Sequence, residues 1–300
     1  MSGELKIISS EEIDKKRWND CIIKSSNGLI YARAEYLDHM CENWSGIVQN
    51  EYEAVMPVPW KKKLNIIYTP SVPFIQQLGI FSQYGKYDEE KFLDALSRFS
   101  SYGDYFFNYK NQVQGSVSQT NFVLKLDRDI ETLLNSFTND AVQNIKKGAG
   151  RDLQFSNAKI RDAIAAFRNL YGKRFTHVSK EHYQKFEALC LVLEKEKKAF
   201  ARKIETSAGE MQSIVLLLKD ERRLYNIMNS TTDEGRHNAA NHFLLYNIWG
   251  EFHQSNLLFD FEGSDVPGVK SFYEKFNPVN EPFYHLHFNN LPAPIRWLKK

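Results

Sequence analysis

The stretch LLFDFEGSDVPGVKSFYEKFN, residues 257–277, decides how the second half of the chain is interpreted. It opens as a short apolar strand, breaks into acidic and small residues, and resumes after Pro267 with the apolar spacing of an aromatic helix. Small residues let a ligand approach the backbone, and the free N–H groups at a helix start favour an anion. The stretch therefore predicts the edge of a ligand site. The alternative is a tight turn with solvated acids.

The composition indicates a globular protein with balanced charge. The chain has 300 residues, 42% of them hydrophobic, which is enough for one large domain or two of ordinary size. The chain has 39 Lys and Arg residues and 37 Asp and Glu residues, so its net charge is small and any binding of polyanions must depend on a local cluster of charges. Cys21, Cys41 and Cys190 lack the spacing of a zinc or redox motif and are expected in the core. No apolar run reaches the length of a membrane span and the N-terminus lacks the apolar segment of a secretory signal, so we expect a cytoplasmic protein without membrane insertion.

The predicted elements occur in the same order twice. Each half reads as a strand, two helices, three antiparallel strands, a helix and a further strand. We expect the first helix to start at Ser9, one helix to span 129–147, and Ser179 to cap the helix that follows it. Pro57 and Pro59 predict that the strand containing them borders an unpaired edge. We therefore expect an α+β fold of two tandem domains, 1–125 and 126–300, each a mixed and mostly antiparallel sheet covered by helices.

Three segments of the second half resemble a known family. QNIKKGAGRDLQF (143–155) resembles an R-x-N-I-R-K-A helix end and the strand after it. HFLLYNIWGEFHQSNLLFDFEGS (242–264) is similar to a helix, a turn and an "fDfgGs" strand, and GVKSFYEKFN (268–277) resembles the signature G-l-x-x-F-K-x-x-F-G. These are motifs of the FemAB family of tandem GNAT-fold aminoacyl and acyl transferases. Tyr273 stands where that signature has Lys, and Asn277 stands where it has Gly.

The resemblance implies two tandem GNAT-like (acyl-CoA N-acyltransferase) domains, with the active cleft in the second. It implies an acyltransferase that moves an acyl or aminoacyl group from an acyl-CoA or aminoacyl-tRNA co-substrate to an amine, without a metal. The acceptor would be a small-molecule or peptide amine, with tRNA as a further partner. The alternative is a catalytically inactive GNAT-fold protein that binds a peptide or a nucleotide-linked ligand, because fold alone does not confer function.

The resemblance also places a donor site in NSTTDEGRHNAAN, residues 229–241. In the GNAT fold the fourth strand splays away from its neighbour and the next helix start holds the donor's pyrophosphate. Asp233 and Glu234 would repel that group, which disfavours an ordinary CoA enzyme and favours aminoacyl-tRNA. Alternatively, Asp233 caps a long helix over about 234–254. The candidate donor-binding residues are Asn229 and Ser230, whose backbone N–H groups would bind an oxyanion, and Gly235, Arg236, His237 and Asn238.

Two carboxylates and a phenol are candidate catalytic groups. Asp260 and Glu262 alternate along FDFEG, so both are expected on one strand face, where one carboxylate raises the pKa of the other toward that of a general base. Tyr273 would protonate the leaving group. Histidines 237, 242 and 253 are alternative bases, although a lone His on an apolar helix usually packs in the core or faces solvent.

A local cationic cluster is the candidate phosphate contact. Lys146, Lys147 and Arg151 surround a predicted helix end, and Arg174 follows another helix. They would contact a nucleotide-linked acceptor or the tRNA acceptor arm. The alternative is that the charges only complement the helix dipole.

His285 and His287 form the last pair of interest. They alternate along YHLHF and share one strand face. With no Cys or carboxylate near them in sequence, they are a weak signal for metal.

Overall fold

The computed structural model describes residues 4–263 and 265–296 and divides the chain into two compact units. The first contains Met1–Gln119 and Pro282–Lys300, and the second contains Thr120–Glu281. This division differs from the predicted boundary at both ends of the second domain. Residues 120–125 lie in the second unit and the C-terminal strand lies in the first, because each of these strands pairs with the sheet of that unit.

The elements follow one another in an order that alternates strands and helices. From the start to residue 119 they are β1 Leu5–Ser9, α1 Lys15–Lys24, α2 Ala34–Met40, β2 Asn43–Gln49, β3 Ala54–Lys63, β4 Ile66–Thr69, β5 Phe81–Ser82, α3 Glu89–Phe99, β6 Tyr102–Phe107 and β7 Val117–Gln119. The second unit contains β8 Phe122–Lys125, α4 Ile130–Asn135, α5 Asn139–Ala149, β9 Leu153–Ala158, α6 Ile160–Tyr171, α7 Lys180–Lys195, β10 Ala199–Thr206, β11 Met211–Lys219, β12 Arg223–Thr231, α8 Asp233–His237, α9 Ala240–Phe252, β13 Leu258–Asp260, α10 Pro267–Glu274 and β14 Val279–Asn280. The chain then returns to the first unit with β15 Phe283–Asn289 and α11 Ala293–Arg296.

The two sheets have the same spatial arrangement of strands. The first has the order β1-β2-β3-β4-β6-β15-β7, with β5 also pairing with β3, and the second, taken from its other edge, has the order β9-β10-β11-β12-β13-β8-β14. In each, one neighbouring pair of strands is parallel, β4 with β6 and β12 with β13, and the other pairs are antiparallel. The predicted fold class, two tandem α+β domains with mostly antiparallel sheets, is confirmed.

The second unit is built around an aromatic core. Trp249 of α9 is fully buried, and its ring lies 4.9 Å from Phe276, 5.2 Å from Phe137 and 5.7 Å from Phe259. Helices on one face of the sheet thus pack through ring edges against strand β13. The three cysteines are also buried and free, as predicted.

Three helix boundaries differ from those predicted. Helix α1 begins at Lys15, where the side chain of Asp14 caps it, rather than at Ser9. The helix expected over 129–147 is two helices, because Thr138 caps a new start. The long helix expected over 234–254 breaks at Ala239, which has the left-handed φ of +56°.

Strand β3 lies inside the first sheet, since β2 pairs with it from Ala54 to Trp60. On its other side β5 pairs with residues 54–55 and β4 with residues 61–63. Between them, residues 56–60 have no described strand partner on that side. The predicted unpaired edge is therefore a short interruption, and it contains both Pro57 and Pro59, which lack the N–H that pairing would require.

Within residues 4–263 and 265–296, no helix combines the length and the apolar character needed to cross a lipid bilayer.

Candidate active site

The second sheet opens at its one parallel pair of strands. Strands β12 and β13 pair only from Arg223 opposite Leu258 to Tyr225 opposite Asp260. Strand β12 continues to Thr231, but no described residue of β13 pairs with it there. The pairing of β12 with β11 also shifts register, because Leu217 faces Asn226 while Leu216 faces Met228. The extra residue at position 227 is a β-bulge, which bends a strand, so β12 diverges from β13.

Backbone groups of β12 face this opening. The N–H of Thr231 donates to the hydroxyl of Tyr171, which lies at the end of α6, and that hydroxyl donates to the carbonyl of Thr231, both at 3.4 Å. Backbone groups alternate sides along a strand, so the N–H of Asn229 points the same way as that of Thr231. The side chain of Ser230 is buried, and its Oγ has no hydrogen-bond partner among the described residues.

Tyr273 of α10 is a buried phenol at the same place. Burial raises its pKa well above the ordinary value, and its electrostatic interactions with Glu262 and then with Tyr171 raise the pKa further, while the nearby side-chain amide of Asn226 partly offsets the rise. The phenol therefore stays protonated as a hydrogen-bond donor. The structure thus brings Tyr273 together with Glu262, Tyr171 and Asn226 of β12.

The two predicted carboxylates are not equivalent. Asp260 is fully buried, and its Oδ2 accepts from Arg223 Nη1 at 2.8 Å. Its Oδ1 accepts from the backbone N–H of Glu262 at 3.0 Å. Strand β13 ends at Asp260 and Glu262 has φ +64°, so the alternation that predicted a shared strand face stops between them. Asp260 fixes the turn, and Glu262 is the carboxylate beside Tyr273.

The predicted donor loop forms a short helix whose residues are engaged with the protein. The side chain of Thr232, rather than Asp233, caps α8. Arg236 pairs with Asp233 and donates to the carbonyl of Thr231 at 2.9 Å. The hydrogen bond with Asp233 is the main cause that raises the pKa of Arg236. The guanidinium of Arg236 therefore offsets the charge of Asp233 within α8, and this weakens the expected repulsion between Asp233 and a donor's pyrophosphate.

Two of the other donor-loop residues face strand β11. A Cβ on Gly235 would lie 2.0 Å from the backbone oxygen of Gln212, so this glycine is required for packing and does not leave room for a ligand. Asn238 donates to the side-chain oxygen of Gln212 at 3.3 Å. His237 is exposed.

The cationic cluster lies beside this loop. Lys146, Lys147 and Arg151 are exposed at the end of α5. At that end, a Cβ on Gly148 would lie 3.1 Å from the backbone oxygen of Ala239, the residue that follows Asn238. Arg174 lies elsewhere in the unit, with its guanidinium 5.3 Å from the ring centre of Tyr171. Both groups of cations therefore border residues of the opening.

The sequence did not single out Tyr171, Asn226 or Arg223. Arg223 is buried and also pairs with Glu281. Although burial opposes its charge, Asp260 holds the pKa of Arg223 well above the ordinary value. The only sequence signal was a pair of adjacent arginines, Arg222 and Arg223, where the tight turn meets β12, and such a pair also suits a solvated hairpin.

His285 and His287 do share a strand face. Both imidazoles bond the same oxygen, Oδ1 of Asp104, at 2.8 and 3.0 Å. Within the part of the chain that the structure describes, no three His, Cys, Asp or Glu residues are arranged to hold a metal ion.

Several solved structures have this fold. FemX aligns over 99% of this chain and 99% of its own, with a TM-score of 0.70 and 12% identity. The L-PGS from Bacillus licheniformis aligns over 95% of both chains, with a TM-score of 0.55 and 12% identity. Saccharomyces cerevisiae N-myristoyltransferase with bound myristoylCoA covers 98% of this chain and 84% of its own, with a TM-score of 0.50 and 13% identity. At these identities the similarity establishes the fold, and the predicted resemblance to FemAB-like tandem GNAT proteins is confirmed at that level.

The sequence matches no protein-family model, and no curated protein matches it significantly.

Proposed function

We propose that the second unit transfers an acyl or aminoacyl group from an activated ester or thioester to an amine. The observation that carries this proposal is the divergence of β12 from β13, with the backbone N–H of Asn229 and the phenol of Tyr273 facing the opening. Such an opening admits an activated carbonyl between a hydrogen-bond donor for its oxygen and a proton donor for its leaving group.

The reaction proceeds by direct attack. The amine nitrogen attacks the donor's carbonyl carbon and forms the C–N bond. The developing oxyanion accepts a hydrogen bond from the backbone N–H of Asn229. Glu262 takes the proton that the amine loses. The C–O or C–S bond then breaks, and the leaving atom takes the phenolic proton of Tyr273. Glu262 returns its proton to Tyr273, which restores both groups.

The raised pKa of Tyr273 bears on whether the acyl donor is an ester or a thioester. A phenol with a raised pKa transfers its proton more readily to an alkoxide than to a thiolate, which is a weaker base with a pKa of about 8.5 in cysteine. This supports an ester donor such as aminoacyl-tRNA. The relation to N-myristoyltransferase, whose structure holds myristoylCoA, supports acyl-CoA as the other donor to be tested.

The cationic residues fit a phosphate-bearing donor or acceptor. Lys146, Lys147 and Arg151 are exposed beside the donor loop, and Arg236 lies within it. In this proposal they contact donor or acceptor phosphates, and the acceptor is a small-molecule or peptide amine. Asp260 orients Glu262 through the turn and does not contact the amine.

A panel of acyl-CoAs and aminoacyl-tRNAs, each mixed with amine acceptors and followed by mass spectrometry of the amide, tests the proposal. Tyr273→Phe is expected to lower turnover by about 10²-fold or more, as loss of a positioned acid does. Tyr246→Phe is the matched control, because it removes a hydroxyl from the neighbouring helix α9 and should leave turnover unchanged. Turnover that Tyr273→Phe leaves intact would contradict the mechanism.

The alternative is a binding protein without chemistry. It is favoured by the packing of Gly235 against Gln212, which fills the place where a donor's pyrophosphate was expected. Saturable binding of an acceptor-like ligand, with no amide formed from any donor, would establish it.

A further inference from the structure

The first unit contains a pocket at the place that corresponds to the opening in the second. Its parallel strands β4 and β6 pair only at Tyr68 opposite Tyr102 and Thr69 opposite Gly103. The chain leaves β4 after Thr69, while β6 continues to Phe107. The pocket opens to solvent, and about 20 Å³ of it is accessible to the centre of a water-sized group. It is lined by Pro59, Thr69–Val72, Ile75, Gln77, Leu78 and Asp104–Phe106.

Two acceptor oxygens belong to the lining side chains. The Oδ1 of Asp104 accepts from both His285 and His287, and its Oδ2 accepts no hydrogen bond from the described residues. Gln77 is 1% exposed, and its Nε2 donates to Gln76 at 2.7 Å. Its Oε1 is buried without a partner among the described residues. A buried acceptor left unbonded is costly, so a hydrogen-bond donor is the group that this pocket lacks.

The charge of the pocket favours a cationic donor. Asp104 is the one charged side chain in its lining, and the imidazoles that bond its Oδ1 satisfy that oxygen alone. The remaining walls are largely apolar, formed by prolines 59 and 70 together with Val72, Ile75, Leu78 and Phe106. The accessible space holds a group about the size of a water molecule, so an ammonium head fits inside and an alkyl chain lies toward the open side of the pocket.

We propose that this pocket binds a primary alkylammonium group, with its nitrogen donating to Asp104 Oδ2 and Gln77 Oε1 and its alkyl chain against the apolar walls. A free aliphatic amine and the side chain of a lysine both present this group. The site lies wholly within the first unit, and the proposal does not rest on the transfer reaction proposed for the second.

Ligand-observed NMR titrations of the full chain with n-butylammonium chloride test the proposal. We expect saturable binding with a dissociation constant on the order of 1 mM, as suits a ligand of this size. n-Butanol, which has the same shape without the charge, is expected to bind at least about tenfold more weakly, because a hydrogen bond to a charged group contributes more than a neutral one. Free lysine amide and poly-lysine peptides then distinguish the two sources of the group.

Variants locate the site. Asp104→Asn removes the charge and keeps an oxygen for the imidazoles, and it should weaken binding at least about tenfold. Gln77→Leu should weaken binding severalfold. If Asp104→Asn does not fold, the affinity of Gln77→Leu serves as the test of the site. Asp94→Asn, an equal change on the surface of α3, should leave binding unchanged. Absence of saturable binding, equal binding of n-butanol, or equal effects of Asp94→Asn and Asp104→Asn would each overturn the proposal.

Discussion

The guanidinium of Arg223 donates from Nη1 to Oδ2 of Asp260 at 2.8 Å, across the parallel strands whose divergence opens the second sheet. Both side chains are almost fully buried, at 4% and 1% exposure. A buried ion pair offsets its own desolvation only while both members are present. The pair therefore fixes the last point at which β12 and β13 touch and the turn that carries Glu262.

Replacing Arg223 with Met is expected to destabilise the protein by about 3–5 kcal/mol, because Asp260 is left buried and unpaired. Arg202→Met is the matched control, since Arg202 pairs with Glu251 nearer the surface and its loss should cost about 1 kcal/mol or less. Urea unfolding of both variants measures the two costs. Equal costs would contradict a structural role for the buried pair.

Replacing Gly235 with Ala is expected to destabilise the protein by about 1–3 kcal/mol. The added Cβ meets the backbone oxygen of Gln212, and a backbone group yields less easily than a side chain. Gly250→Ala provides the comparison, because Gly250 lies in α9 and an added Cβ would meet no heavy atom within 4 Å apart from its chain neighbours and its own helix backbone. That change should stabilise the protein by up to about 1 kcal/mol through helix propensity. Thermal unfolding curves should therefore shift in opposite directions.

His242 makes the stability depend on pH. Burial is the main cause that lowers its pKa from 6.5 to about 4, the charge of Lys275 adds to this, and Asp140 opposes it. Between pH 6.5 and 4 this imidazole is therefore protonated in the unfolded chain but neutral in the folded protein. Stability is fully present above pH 6.5 and falls as the pH drops through this window, by up to about 3 kcal/mol from this residue.

Replacing His242 with Phe is expected to flatten the unfolding free energy between pH 6.5 and 4, as measured by urea titrations at several pH values. His177→Phe is the control, because His177 is exposed and its substitution should leave the slope as it is in the wild type. A slope that persists in His242→Phe would assign the acid sensitivity to other groups.

Reversing the charges of Lys146 and Lys147 to Glu tests their contact with a polyanion. If each lysine neutralises one phosphate, tRNA binding should weaken and the slope of log affinity against log salt should fall by about 0.7–0.9 per lysine. Lys195→Glu changes an exposed lysine in the last turn of α7 and should have a much smaller effect. Fluorescence anisotropy over a salt series gives both quantities. An unchanged slope of log affinity against log salt would mean that Lys146 and Lys147 do not contact phosphates and only complement the dipole of α5.

Much of the fold was predictable because its elements have strong local signals. The alternation of apolar residues and the small turns between residues 199 and 231 predict the β10-β11-β12 meander that the structure contains. Ser179 was also predicted to cap its helix, and its Oγ accepts a hydrogen bond from the backbone N–H of His182, while the His182 ring accepts one from the backbone N–H of Ser179. Local signals of this kind do not depend on which sheet the element joins.

The features that the sequence did not show depend on contacts between distant residues. Nothing local indicates that Asp260 meets Arg223, 37 positions earlier, and so the strand pattern made it appear equivalent to Glu262. Ala239 has the residue type most favourable to a helix, yet tertiary packing places it in the left-handed region and divides α8 from α9. The same limit applies to β15, whose sequence does not reveal the sheet it joins.

The position of β15 also bears on how the protein is made. This strand lies between β6 and β7 in the sheet, but more than 160 residues separate β7 from β15 in the chain, so both neighbours are synthesised long before it. Until β15 has been synthesised, the edge of β6 that it joins lacks this partner, and an unpaired edge favours association with other chains. The N-terminal half of the sequence is therefore the half whose sheet is completed last.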